Sequence, residues 1–103
     1  MRFLMKVELP VEIANEMSAD GSLGKTIGQI LEQLEPEAAY FTTANGERAG
    51  LIIFHIDDAA EIPRVAEPWF HAFEANVDIV PAMIPADLEK AAPDIKRAAK
   101  MYG

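Results

Sequence analysis

The chain reads as an α+β protein with element order β-α-β-β-α-β. One four-stranded antiparallel sheet carries helices on one face, and an extra helix follows at the C-terminus. Three observations predict this. Ala49–Asp58, AGLIIFHIDD, is the longest unbroken apolar run, and Asn45-Gly46 separates it from a second apolar and aromatic run, Ala38–Thr43. Asn-Gly between two such runs signals a hairpin, because both residues tolerate the positive φ of a type I′ turn. Arg2–Leu9 alternates with a period of two, placing Phe3, Met5, Val7 and Leu9 on one face. Two later stretches place their apolar residues at helical spacing.

Taken in order, Arg2–Leu9 is a strand ended by Pro10, and Val11–Ala19 is a short helix stopped at Gly21. Ser22 can cap a second helix running to about Leu34, with Leu23, Ile27, Ile30, Leu31 and Leu34 as its buried stripe. Gly24 and Gly28 weaken that helix, each by roughly 1 kcal/mol against Ala, and could let it approach the sheet closely. Ala38–Ala44 and Glu47–Ile56 form the hairpin. With Asn45 and Gly46 as its loop, Tyr40 faces Leu51 and Thr42 faces Ala49. Phe41, Ile52, Phe54 and Ile56 then share the face that seats helices, while Tyr40, Thr42, Leu51, Ile53, His55 and Asp57 share the other.

Ala59–Phe73 is a helix that Pro68 should kink or split. Asn76–Ile84 is a final strand, with Pro81 implying an edge position or a bulge. Pro85–Tyr102 is one or two helices, with Pro93 starting the second. With right-handed crossovers these elements give the ferredoxin-like plait over residues 1–103 as one domain. Its second sheet face, with Leu4, Tyr40, Leu51, Ile53 and Val80, is too apolar to leave in water. A second copy packing sheet on sheet would bury it, so a homodimer through the open face is expected.

Composition narrows the function classes. The 103 residues carry a net charge of −8, which argues against nucleic acid and anionic membrane as partners. The absence of cysteine excludes disulfides and thiolate chemistry and makes the cytoplasm the default compartment. The opening MRFLMKVELP is too short and too interrupted for a signal peptide or a spanning helix.

Through its element order and the segments EAAYFTTANGERAGLIIFHID and IPRVAEPWFHAF, the chain resembles the dimeric α+β barrel superfamily. The second segment, with Glu67-Pro68-Trp69-Phe70, is similar to an uncharacterised bacterial group of about this length. The resemblance implies two ferredoxin-like sheets paired around a central barrel and a ligand cleft between sheet and helices. The superfamily includes muconolactone isomerase-like enzymes and cofactor-independent monooxygenases. No catalytic motif is shared across it, so the resemblance implies fold and dimerisation rather than a reaction.

Four motifs carry possible chemistry. Ala19–Thr26, ADGSLGKT, fits the loosest form of a phosphate-binding loop. That mechanism needs a strand before the loop, and here a helix precedes it, so a Gly-Ser helix start is the simpler reading. His55 has Tyr40 and Thr42 on the neighbouring strand, with Lys6 and Asp78 as candidates for the same face. It is either a general base for proton abstraction or a histidine satisfied within the dimer interface. Glu67 and His71 stand at helical i, i+4 spacing with no third metal ligand evident, so no metal site is expected. Trp69, Phe70 and Phe73 are core residues first, but a kink at Pro68 could open space beside Trp69 for an apolar small molecule.

These readings give a binding protein whose cleft is lined by Tyr40, His55 and Trp69, with Lys6, Thr42 and Phe70 as further ligand contacts. One alternative is an enzyme working without cofactor, with His55 as base and Tyr40 positioning the substrate. Another is a structural or regulatory dimer with a filled core.

Overall fold

The computed structural model describes residues Met1–Gly103. Its elements are β1 (Arg2–Leu9), α1 (Val11–Ala19), α2 (Ser22–Leu34), β2 (Ala38–Ala44), β3 (Glu47–His55), a 3₁₀ turn (Ala59–Glu61), α3 (Ile62–Phe73), β4 (Asn76–Pro81) and α4 (Pro85–Tyr102). The strands form one antiparallel sheet in the order β2-β3-β1-β4, the ferredoxin-like arrangement that the sequence predicts.

The hairpin register is the expected one, with Tyr40 opposite Leu51 and Thr42 opposite Ala49. Asn45 and Gly46 take φ of 54° and 77°, both in the left-handed region that a type I′ turn requires. The turn is also tied to β1, because Asn45 Nδ2 donates to Glu8 Oε1 at 2.9 Å. Lys6 Nζ lies 3.2 Å from the same oxygen, so the buried Glu8 carboxylate is both paired and hydrogen-bonded.

Period-two alternation puts Phe3, Met5, Val7 and Leu9 on one face together with Ile52 and Phe54, and Phe3 stacks on Phe54 with ring centroids 5.7 Å apart. Val65, Trp69 and Phe73 of α3, Ile30 of α2 and Ala14 of α1 close over this face in one apolar cluster. Each of the larger side chains here that is fully removed from water stabilises the fold by about 1.5–3 kcal/mol. The opposite face has no helix on it. There Leu4, Leu51 and Ile53 remain partly accessible, and Tyr40 and Val80 are exposed.

Several local expectations are revised. Gly21, not Ser22, is the N-cap of α2; just before it, Asp20 Oδ1 accepts from Ser22 N at 2.8 Å, and hydrogen bonds from Ser22 hold the Asp20 carboxyl below its ordinary value. Gly24 and Gly28 face open space, so neither brings α2 closer to the sheet. The helix runs unbroken through Pro68 in α3 and through Pro93 in α4. β4 ends at Pro81, three residues early, and lies at the sheet edge where a missing N–H costs least.

Candidate functional site

The sheet has two sides, and the sequence-predicted site residues divide between them. Tyr40, Lys6 and His55 project from the open face; Trp69 is 1% exposed beneath the helices on the other. Tyr40 pairs with Leu51, four residues along β3 from His55, which is about 13 Å of strand. Lys6 also lies opposite Leu51 and ion-pairs with Glu8, away from His55. Phe70 is 41% exposed on the outer side of α3. Of the predicted ligand contacts, only Thr42 and Trp69 meet at one cleft.

That cleft has a volume of about 480 Å³ and lies on the helical side, between Ile27 of α2, Trp69 of α3 and the β2–β3 edge. It exists because the helices pack over β3, β4 and the core residues of β1 and leave Tyr40–Thr43 of the edge strand β2 exposed. Phe41, 56% exposed, overhangs the resulting gap. Its ring rests on the backbone of Gly50, where a Cβ would stand 3.3 Å from Phe41 Cε1, so the glycine gives the ring its seat. Arg48 is the one cation in the lining, and its Nη1 donates to Asn15 Oδ1 at 3.0 Å. The indole N–H of Trp69 is buried and has no acceptor in the chain. The crevice at Pro68, by contrast, holds only about 110 Å³ and does not reach Trp69.

His55 has a partner that sequence reasoning missed. Its Nε2 lies 2.8 Å from Glu37 Oε1, and Arg2, opposite His55 in the sheet, reaches the same oxygen through Nε and Nη2, each at 2.9 Å. First the His55 hydrogen bond and then Arg2 hold the Glu37 carboxyl below its ordinary value. Facing the ionised Glu37 carboxylate, which can only accept, His55 Nε2 is the donor of this bond. His55 and Arg2 also line a hollow of about 380 Å³ with Met83 and Asp87 at the start of α4. The hairpin rule could not reveal Glu37: it would place that residue opposite Phe54, on the buried face. β2 begins only at Ala38, however, and Glu37 N instead donates to Ile53 O at 2.8 Å.

Elsewhere the candidate motifs resolve into local structure. Residues 19–26 join α1 directly to α2, with Lys25 exposed and no strand preceding the turn. His71 Nε2 lies 3.7 Å from Glu67 Oε1, and no three His, Asp or Glu side chains cluster to hold a metal ion. No helix is long and apolar enough to cross a membrane.

Comparison of folds places the chain beside 5-chloro-2-hydroxyhydroquinone dehydrochlorinase from Burkholderia phenoliruptrix, solved with 2,5-dihydroxybenzoquinone. The TM-score is 0.62 at 14% identity, covering 84% of this chain and 98% of the other. A formyltetrahydrofolate deformylase from Pseudomonas putida is also similar, at a TM-score of 0.49 and 12% identity, over 80% of this chain and 29% of that one. At 14% identity the likeness to the dehydrochlorinase is one of fold, and it agrees with the expected α+β plait. No curated protein matches the sequence. A model for a domain of unknown function, DUF3303, matches residues 1–96, and the chain belongs to that family.

Proposed function

We propose that the protein is a cytoplasmic homodimer, joined through its open sheet faces, that binds a small and largely apolar molecule in the cleft between Phe41 and Trp69. The observation that carries the reading is the cleft itself: about 480 Å³ walled by Ile27, Phe41 and Trp69 over a glycine floor. Such a ligand would replace water against apolar walls. The fold can host a compound of this size, as the Burkholderia enzyme with its bound benzoquinone illustrates. The homodimer rests on the uncovered face carrying Leu4, Tyr40, Leu51, Ile53 and Val80.

Trp69 is the only tryptophan, so its fluorescence reports on the cleft. Titration with 1-anilinonaphthalene-8-sulfonate should quench that fluorescence by energy transfer in the native protein. Phe41→Glu should weaken the quenching at least about tenfold without unfolding the chain, since losing apolar burial of one ring is worth more than 1.4 kcal/mol. Equal quenching in both proteins would place the probe elsewhere and count against the cleft.

The Glu37–His55 pair supports a second reading, an enzyme that transfers a proton without a cofactor. His55 Nδ1 is the base, Glu37 fixes the tautomer, and a substrate lies in the hollow beside Arg2. Turnover found in a screen of carbon acids should be abolished in His55→Ala and reduced in Glu37→Gln, with the dimer intact in both. Undiminished turnover in His55→Ala would reject this reading.

A further inference from the structure

α4 is a helix without a surface to lie on. It runs for 18 residues, about 27 Å, and none of them is buried. It packs extensively against no other element. The molecule is consequently 58 Å long against 28 and 20 Å across. Its radius of gyration is 17.1 Å, where a compact chain of this size has about 13 Å.

Such a helix does not stand alone in water. Isolated helices of this length are marginal, and Pro93 in its interior removes the bond to the Glu89 carbonyl and costs about 3 kcal/mol more. Its sequence is nonetheless patterned for burial. Ile84, Leu88, Ala91, Ile95, Ala98 and Tyr102 recur at alternating steps of four and three. Ala92 and Ala99 widen this seam into the stripe of a helix that docks on a globular body, broader than a two-helix seam needs. Leu88 and Ile95, its larger aliphatic residues, are 49% and 57% exposed.

The start of α4 is pinned in direction. Ala82 N donates to Arg2 O at 3.0 Å, and Ile84 N donates to Asp87 Oδ2 at 2.9 Å. With three residues between β4 and α4 and both bonds in place, the helix is aimed away from its own body. Charge indicates what it meets. α4 carries Lys90, Lys96, Arg97 and Lys100 against Asp87, Glu89 and Asp94, one net positive charge. The whole chain stands at −8, so the body outside α4 holds −9. Three of the four cations fall in the outer half of the helix, on the part that projects furthest from that body.

We propose that α4 is an exchanged arm: in the homodimer, the apolar stripe of each α4 lies on the acidic body of the second copy. This rests on the homodimer reading above and adds its mode of assembly. Burial of the stripe supplies the packing that α4 lacks, and Lys96 and Lys100 face a surface of opposite sign, while Arg97 Nη1 donates to Asp94 Oδ1 of its own helix at 2.8 Å. The arm also leaves from the hollow lined by His55 and Asp87, so exchange would bring the two copies together around it.

The test uses the full chain with Tyr102 replaced by the photo-reactive p-benzoylphenylalanine, mixed as unlabelled and heavy-isotope copies and allowed to exchange before irradiation. Cross-links from one isotopic copy to residues 1–81 of the other are expected. Ile95→Asp should raise the dimer dissociation constant at least about tenfold while leaving the body folded, because Ile95 contributes nothing to the core. Light scattering on the same samples separates two failures. A monomer at every concentration removes the homodimer and the arm together. A dimer overturns the arm alone if its cross-links stay within one copy, join only α4 to α4, or do not form, or if Ile95→Asp leaves its affinity unchanged.

Discussion

His55 Nε2 and Glu37 Oε1 stand 2.8 Å apart, although β2 and most of β3 separate the two residues in sequence. Arg2 brings a third element to the same oxygen, so one carboxylate ties together the start of β1, the end of β3 and the bend before β2. The arrangement has a definite pH signature.

A carboxyl whose folded pKa lies below its unfolded value stabilises the fold at higher pH. For Glu37 that contribution is fully present above the ordinary carboxylate value of about 4.3 and is lost as pH falls through the lowered folded value. Glu37→Gln should therefore melt at a lower temperature than the native protein near neutral pH, with the difference shrinking below about pH 4. Thermal unfolding followed by circular dichroism across that range checks this. A difference that stays constant down to about pH 3 would mean that the charge on Glu37 is not what matters.

The seat of Phe41 on Gly50 can be altered with one carbon. A Cβ at position 50 would approach the Phe41 ring to 3.3 Å, closer than ordinary contact, and the half-exposed ring is free to move. Gly50→Ala should change stability by no more than about 1 kcal/mol, because the loss of seating is offset by lower unfolded-state entropy. It should nevertheless reshape the cleft and weaken probe binding. Unfolding in urea measures the first and Trp69 fluorescence the second. Unaltered probe binding would detach Phe41 from the site.

The open face offers a separate test. Ile53 lies there beside Leu4 and Ala38, outside the core cluster. Ile53→Asp should dissociate the homodimer and leave a folded monomer, since a charge is costly at a dry interface and harmless on a wet face. Light scattering together with circular dichroism distinguishes this from unfolding. A variant that remains dimeric at micromolar concentration would exclude sheet-on-sheet pairing.

Most of the fold was legible because its signals are local. Asn45-Gly46 sets the hairpin register, alternation sets the faces of β1, and the stripe from Ile62 to Phe73 sets α3. Less of the site was legible, for a physical reason. The pairing of β1 with β3 is made across the sheet, so nothing near His55 in sequence announces Arg2. Glu37 escapes because it lies in the bend before β2, where alternation no longer holds. Tyr40, His55 and Trp69 looked like one cleft because all three belong to elements that touch, but the sheet stands between the first two and the third. Pro68 and Pro93 looked like breaks, yet each helix continues at the loss of one bond.

A crystal structure of the protein as purified, inspected between Phe41 and Trp69, tests the ligand site most directly. Ordered density for a small molecule over Gly50, in contact with Phe41 and Trp69, is the expected result. A Phe41 ring turned inward onto Trp69, with the cleft filled by the protein's own side chains, would contradict it.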